Sequence, residues 1–264
     1  MGVLYSPKIV TNGLVLCLDA GNRKSYSGSG NIWRDISGNE EHFILYNNPV
    51  FNRNSNGSPA IEFSANNDYA RRTNSNIIKR TNNNGTIDIW FRSINNDLNA
   101  ASTSYARIIS VADAAGTGSD NSSTQGSNRD YSDFYCLAVN NQDNVQNFAL
   151  WYGGNPSAFS TNPVILFNTT RYFNIVITYS SSGGNMTFNY FVQGRVARNS
   201  SVITRSGYST DASTITLGMN SFGALTNVAE NSQTAISQIK LYDIALNATQ
   251  VLQNYNALKG RFNL

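Results

Sequence analysis

The sequence predicts an all-β sandwich, and three observations carry that prediction. Short runs with strand-like patterning recur along the chain, separated by clusters of Gly, Asn and Ser. Hydrophobic residues make up 40% of the sequence and aromatic residues 11%, which is enough for a sizeable core. Helical spacing is convincing in one segment only, at the C-terminal end.

The elements follow in order. Leu14 to Ala20, LVLCLDA, is apolar on both faces and reads as a strand covered on both sides. Ala60–Phe63 is the next run, followed by Thr86–Ser93. There Ile87, Ile89 and Phe91 alternate with Asp88, Trp90 and Arg92, the pattern of a half-buried strand. Ala106–Asp113 precedes a long polar stretch, residues 114–130, read as an insertion within one sandwich. Asp133–Asn140 and Asn147–Gly154 flank a turn. Arg171–Ser180 passes through the Gly-rich SSGGN into MTFNYFVQGRVA, a β-hairpin. Ser213–Asn220 and Ala235–Asp243 are the last strands. In the helix, Asn247 is the expected N-cap, with Gln250 completing a capping box. Val251, Leu252, Tyr255 and Leu258 form its apolar stripe, and Gly260 is its expected stop.

Composition narrows the function classes. Charged residues are 13% of the chain and the net charge is only +3. Arg71-Arg72 and Lys79-Arg80 extend into no longer basic block, so nothing points to nucleic acid. No stretch approaches the roughly 20 apolar residues of a membrane span, and no leader is evident, so synthesis in the cytosol is expected. Cys17 and Cys136 sit in apolar runs and read as buried thiols, with a disulfide between them left open. His42, the one histidine, follows Glu40 and Glu41 in what reads as a solvated loop. A single histidine argues against a nucleophilic triad and against zinc. Glycoside hydrolysis needs a pair of carboxylates, and Asp88 stands alone on its strand. No catalytic residue and no metal ligand is therefore assigned. Calcium is the one cofactor left open, through oxygen-rich stretches such as Asn66-Asn67-Asp68 and Asp120-Asn121.

The two ends carry specific patterns. Residues 13–39 contain LVLxLDAxN (Leu14–Asn22), SYxGSG (Ser25–Gly30) and WxDxSGN (Trp33–Asn39). This opening resembles the concanavalin A-like lectin/glucanase superfamily in its laminin-G-like form, and more narrowly the copies in structural proteins of tailed phages. AIEFSANNDYA (Ala60–Ala70) resembles the strand and Asp-Tyr turn of that family, and Gln238–Phe262 resembles its closing strand, loop and helix. Glu40, Glu41, His42 and Phe43 depart from its usual Gly/Asn-rich turn, which implies a changed loop. The resemblance implies a jelly-roll sandwich of two antiparallel sheets with one short C-terminal helix. It implies one domain over residues 13–264, preceded by an arm at 1–12. Asp19, Asp35 and Asp68 fall within the family-like motifs and are expected to make turns and cap loop N–H groups.

Two functions follow as expectations, neither enzymatic. The first is a phage virion structural protein, made in the host cytoplasm and displayed as a capsid decoration or as a head, neck or tail accessory. Its partners would be other virion proteins, met as a homo-oligomer or symmetric array. Val3, Leu4, Tyr5, Ile9 and Val10 of the arm would be the anchor, the alternative being a disordered tail. The second is a lectin-like module binding host-surface carbohydrate. Trp151, Tyr152 and Asn155, with Asp130 and Tyr131 at the end of the long loop, offer aromatic faces beside hydrogen-bonding groups. The alternative for Trp151 and Tyr152 is a strand packed on both faces.

Overall fold

A computed structural model describes residues 7–65, 67–77, 81, 83–94, 105–113, 133–142, 145–152, 171–204, 212–218 and 233–264, some of the strand residues by backbone alone. The strands, numbered in chain order, form two antiparallel sheets. Sheet one runs β13 (Arg195–Thr204), β12 (Asn185–Val192), β11 (Phe173–Ser182), β7 (Asn84–Ser93), β15 (Thr234–Tyr242), β5 (Ser58–Phe63) and β4 (Val50–Ser55). β1 (Leu14–Asp19) also pairs with β15. Sheet two runs β10 (Val145–Tyr152), β9 (Asp133–Gln142), β8 (Tyr105–Asp113), β14 (Ala212–Leu217), β6 (Tyr69–Arg72), β3 (Phe43–Tyr46) and β2 (Ile32–Trp33). This is the expected all-β sandwich, closed by the helix α1 (Ala248–Leu258).

Alternation fills the space between the sheets. Ile87, Ile89 and Phe91 of β7 and Ile175, Ile177 and Tyr179 of β11 face inward with Ile236, Ile239 and Leu241 of β15. Trp33, Phe43, Leu45, Ala70, Ile215 and Leu217 belong to the same core from sheet two. β15 is shared by two strands on one edge: its first half pairs with β5 and its second with β1. The handover falls at an irregularity between Ile236 and Gln238. Ser237 sits there fully buried, with its carbonyl accepting from the Ala20 N–H at 2.9 Å and its hydroxyl donating to Pro59 O at 2.7 Å.

The alternating polar face of β7 is not exposed, and this corrects the half-buried reading. Asp88, Trp90 and Arg92 are all buried, because the C-terminal segment roofs that face of sheet one. Trp90 stacks on Phe262 at 4.1 Å and on Tyr255 of α1 at 5.7 Å. Asp88 pairs with Lys240 at 3.1 Å, both side chains inaccessible to solvent. Asn174 and Asn254 donate to the two oxygens of Asp88 at 2.8 and 3.1 Å. Lys240 donates to Gln238, Gln238 to Asp19, and Asp19 pairs with Arg261 at 2.7 Å.

The segment before β1 joins this roof. The Val10 N–H donates to Asn254 Oδ1 at 2.8 Å, and the Tyr242 hydroxyl donates to Val10 O at 3.1 Å. Val10 is buried with Val176, Tyr242 and Val251, so its side chain serves the chain's own interior. Ile9 is half-buried, and Val3, Leu4 and Tyr5 lie outside the described residues.

The sequence reading missed short strands and tight turns. β2, β3, β4 and β6 are strands of two to six residues in polar surroundings. MTFNYFVQGRVA is two strands, because Gln193 and Gly194 both adopt positive φ (52° and 72°), the signature of a two-residue hairpin turn. A Cβ at Gly194 would come within 2.7 Å of the Tyr255 ring, so glycine also permits α1 to pack there. At α1 the capping box between Asn247 and Gln250 forms as expected. The stop does not fall at Gly260: the chain continues as a 3-10 turn through Lys259–Phe262 and reverses at Asn263, whose φ is 57°.

Two stability predictions follow. Lys240→Met leaves Asp88 buried without its cation and should cost about 3–5 kcal/mol, with part of the loss recovered in the Lys240→Met/Asp88→Asn double variant. Equal midpoints for parent and single variant in urea unfolding would contradict this. Asn247→Ala removes the helix cap and should lower stability by about 1 kcal/mol in the same assay.

Candidate functional site

The N-terminal motif builds a rigid loop on the edge of sheet two. Asp35 accepts from the N–H groups of Cys17 and Ser37, both at 2.8 Å, and from the Ser37 hydroxyl at 2.8 Å. Asp19 accepts from the Gly21 N–H at 2.8 Å, and Asp68 from the N–H groups of Ser64 and Ala65 at 3.2 and 2.9 Å. All three aspartates therefore make turns, as expected. Ser25 accepts from the Asp19 N–H and donates to Arg34 O at 2.6 Å, and the Tyr26 hydroxyl donates to Gly30 O at 2.7 Å. Residues 22–34 are thus held at several points from beneath.

The run Glu40 to Phe43 is more than a changed loop. Glu41 is buried, pairs with Arg72 at 2.7 Å and accepts from the Asn76 N–H at 3.1 Å. His42 is not simply solvated, since its Nδ1 accepts from the Asp35 N–H at 3.1 Å. Phe43 opens β3 with no solvent exposure.

β3 carries the exposed aromatic of this edge. Phe43 and Leu45 point into the core, so Ile44 and Tyr46 point outward by strand alternation. Tyr46 is 38% exposed and stacks on its cross-strand partner Tyr69 at 4.7 Å, the planes 13° apart. The Arg71 guanidinium lies 4.6 Å from the Tyr69 ring centre and donates to Thr216 Oγ1 at 3.2 Å. Tyr46 is the accessible member of this aromatic pair. Beyond it Asn47 and Asn48, both exposed and at positive φ, turn the chain, and Asn47 donates to Asn67 O at 2.7 Å. Beside it Ile32 of β2 pairs with Ile44 and is also 38% exposed. Ile32 lines a cleft of about 220 Å³ with Arg23, Ser27, Ser29, Gly30, Asn31 and Arg34. Aromatic face, amides, hydroxyls and guanidinium groups thus share one exposed edge.

Two of the sequence-predicted binding residues are placed, and they fall on another edge. Trp151 and Tyr152 end β10, on the opposite edge of sheet two, and Asn155, Asp130 and Tyr131 lie outside the described residues. So do residues 114–130 and the Asp120-Asn121 stretch. Tyr46 was missed because a four-residue strand beside two asparagines reads as loop. The signal that could have found it is the alternation in FILY before Asn47-Asn48. A second recess, about 300 Å³, is lined by Asn56, Arg171, Tyr172, Phe262, Asn263 and Leu264, but its rings are buried.

The sequence matches no protein-family model and no curated protein. Solved structures match at the level of fold. Trypanosoma rangeli sialidase in complex with sialic acid has a TM-score of 0.63 at 14% identity, over 94% of this chain and 33% of that one. The same sialidase with the inhibitor DANA gives 0.59 at 15% identity, again over 94% and 33%. The binding domain of botulinum neurotoxin serotype D gives 0.60 at 16% identity, over 93% of this chain and 51% of that one. The chain spans about a third of the sialidase and about half of the toxin domain. What they share with it is a β-sandwich fold.

The buried ionisable groups are held in place by structural partners. Glu62 accepts from Asn52, Ser55 and Arg92, and Asp88 is bound as described. Among the described residues no group of three His, Cys, Asp or Glu side chains is placed to hold a metal. Cys17 is a free buried thiol, and burial pushes its pKa from 9.0 up to about 12. Above pH 9 the unfolded chain releases a proton that the folded chain keeps until about pH 12. Stability from this group is therefore complete below pH 9 and falls as pH rises, by at most about 1.4 kcal/mol per pH unit. Cys17 should resist alkylation by iodoacetamide at pH 8 in the folded protein and react in urea. Peptide mass spectrometry showing equal labelling in both conditions would refute this.

Proposed function

We propose that the chain is a carbohydrate-binding β-sandwich module that presents the β2–β3–β6 edge of sheet two to glycan. The observation that carries this is the exposed Tyr46 ring, stacked on Tyr69 and bordered by asparagine amides. A sugar offers an apolar C–H face and a ring of hydroxyls. A fixed aromatic surface receives the first, and amide and hydroxyl groups receive the second, the lining expected of a small-ligand site. The lectin-like fold supports the reading. The carboxylates of the described core, each held by hydrogen bonds or ion pairs, support binding without hydrolysis.

Membership of the laminin-G-like family and display on a phage particle are part of this proposal, supported by the end motifs alone. The two readings join naturally. A shallow surface site binds weakly, and an array of copies on a particle would raise its avidity by orders of magnitude. In that setting the module would touch host-surface glycans while other surfaces met virion proteins.

Tyr46→Ala should weaken binding to the best ligand of an oligosaccharide array at least tenfold, about 1.4 kcal/mol. Tyr46→Trp should keep most of the affinity, and the thermal midpoint of both variants should stay near the parent's. Unchanged sugar affinity in Tyr46→Ala would remove this edge as the site.

A further inference from the structure

The cleft beside Ile32 is bordered by basic side chains. Between Asp19 and Asp35 the sequence carries Arg23, Lys24 and Arg34 and no acidic residue. All three side chains are exposed. Each described carboxylate next to this loop is already engaged. Asp19 pairs with Arg261, and Asp35 caps the N–H groups of Cys17 and Ser37. Arg23 and Arg34 therefore line the cleft with no ion-pair partner among the described residues. Arg53 approaches the same loop, since a Cβ on Gly28 would lie 2.9 Å from its guanidinium.

The frame of the cleft is fixed before any ligand arrives. Arg34 is tied to Ser25 through its N–H at 2.7 Å and its carbonyl at 2.6 Å. The Ser27 hydroxyl donates to Ser29 O at 2.9 Å, and Gly30 is held by the Tyr26 hydroxyl. Gly30 has a φ of 87°, and a Cβ there would meet nothing within 4 Å, so the backbone is open to the cleft at that point. The volume of about 220 Å³ suits one sugar unit or its substituent, not a whole oligosaccharide.

We infer that this cleft takes the anionic substituent, carboxylate or sulfate, of an acidic sugar whose ring lies against Tyr46 or Ile32. Two guanidinium groups provide planar, bidentate donors that match either anion. Serine hydroxyls and the Asn31 amide supply the remaining polar contacts. The inference rests on the glycan-binding reading and narrows it to a substrate class.

The experiment titrates the full chain with neutral, uronate-bearing and sulfated oligosaccharides of matched backbone, at 50 and 500 mM NaCl. The parent should prefer acidic over neutral sugars, and the preference should shrink at high salt. Arg23→Gln/Arg34→Gln should lose at least tenfold in affinity for acidic sugars and keep its affinity for neutral ones. Arg195→Gln, an exposed charge on β13, should change neither. The uronate and sulfate arms show which anion is taken. Equal binding of acidic and neutral sugars, or parent-like acidic binding by the double variant, overturns the inference and leaves the glycan reading standing. If no oligosaccharide of any class binds, the glycan reading falls and this inference with it.

Discussion

The fold turns on one buried ion pair. Asp88 and Lys240 are cross-strand neighbours at the centre of sheet one, where removal from water is most costly. Such a pair is tolerable only where hydrogen bonds replace the lost water, and side chains from three elements supply them here. Asn174 comes from β11, Asn254 from α1, and Gln238 from β15 itself. Asn254 reaches on to Val10, and Gln238 to Asp19, which ends β1 and meets Arg261 beyond α1. The charge at the centre therefore fixes four things together: the register of β7 on β15, the seat of β1, the angle of the helix and the entry of the chain. A one-residue slip of β15 would turn Lys240 into the apolar core and strand Asp88.

That roof makes the two sheets unequal. Sheet one is covered on both faces, by the core within and by α1, Phe262 and Val10 without. Among the described residues α1 and Phe262 pack on sheet one, whereas on β2 and β3 of sheet two Ile32 and Tyr46 are exposed. Rigid elements on one side thus free the other for contact. The loop of residues 22–34 gains from both. It hangs from Asp19, which belongs to the buried network, and it lines the cleft on the exposed edge.

The same division explains what could be read from the sequence. Long strands in the middle of a sheet have many apolar neighbours, and TIDIWFRS or RYFNIVITYS shows this directly. Short edge strands carry two or three apolar residues among polar ones, so Phe43–Tyr46 and Val50–Ser55 vanish into apparent loop. Asn56-Gly57, a strong hairpin signal at φ 49° and 91°, was overlooked because the strand before it reads VFNRNS. The capping box was legible because it is local. The burial of Asp88, Arg92 and Glu41 was not, because their partners lie 30 to 166 residues away. The aspartates of the N-terminal motif were legible as turn makers, but the exposed aromatic of β3 was not. Its exposure depends on pairing between β3 and β6, which no single segment encodes.

Electrostatics bears on how such a site would act. The chain carries a net charge of only +3, so its field at a distance is weak. At physiological salt the screening length is about 8 Å, and exposed arginines act little beyond their own cleft. Arg23 and Arg34 would therefore add little to the rate of encounter. Their effect belongs to the bound state, where the distance to an anion is a hydrogen bond and the fork geometry counts. The frame that holds Arg34 through Ser25 matters for the same reason. An arginine on a free loop gives up conformational entropy when it closes on a ligand, whereas one whose backbone is already hydrogen-bonded gives up less. Discrimination among sugars by this edge would then rest on position, set by the packed sheet beneath it, and hardly at all on the overall charge of the protein.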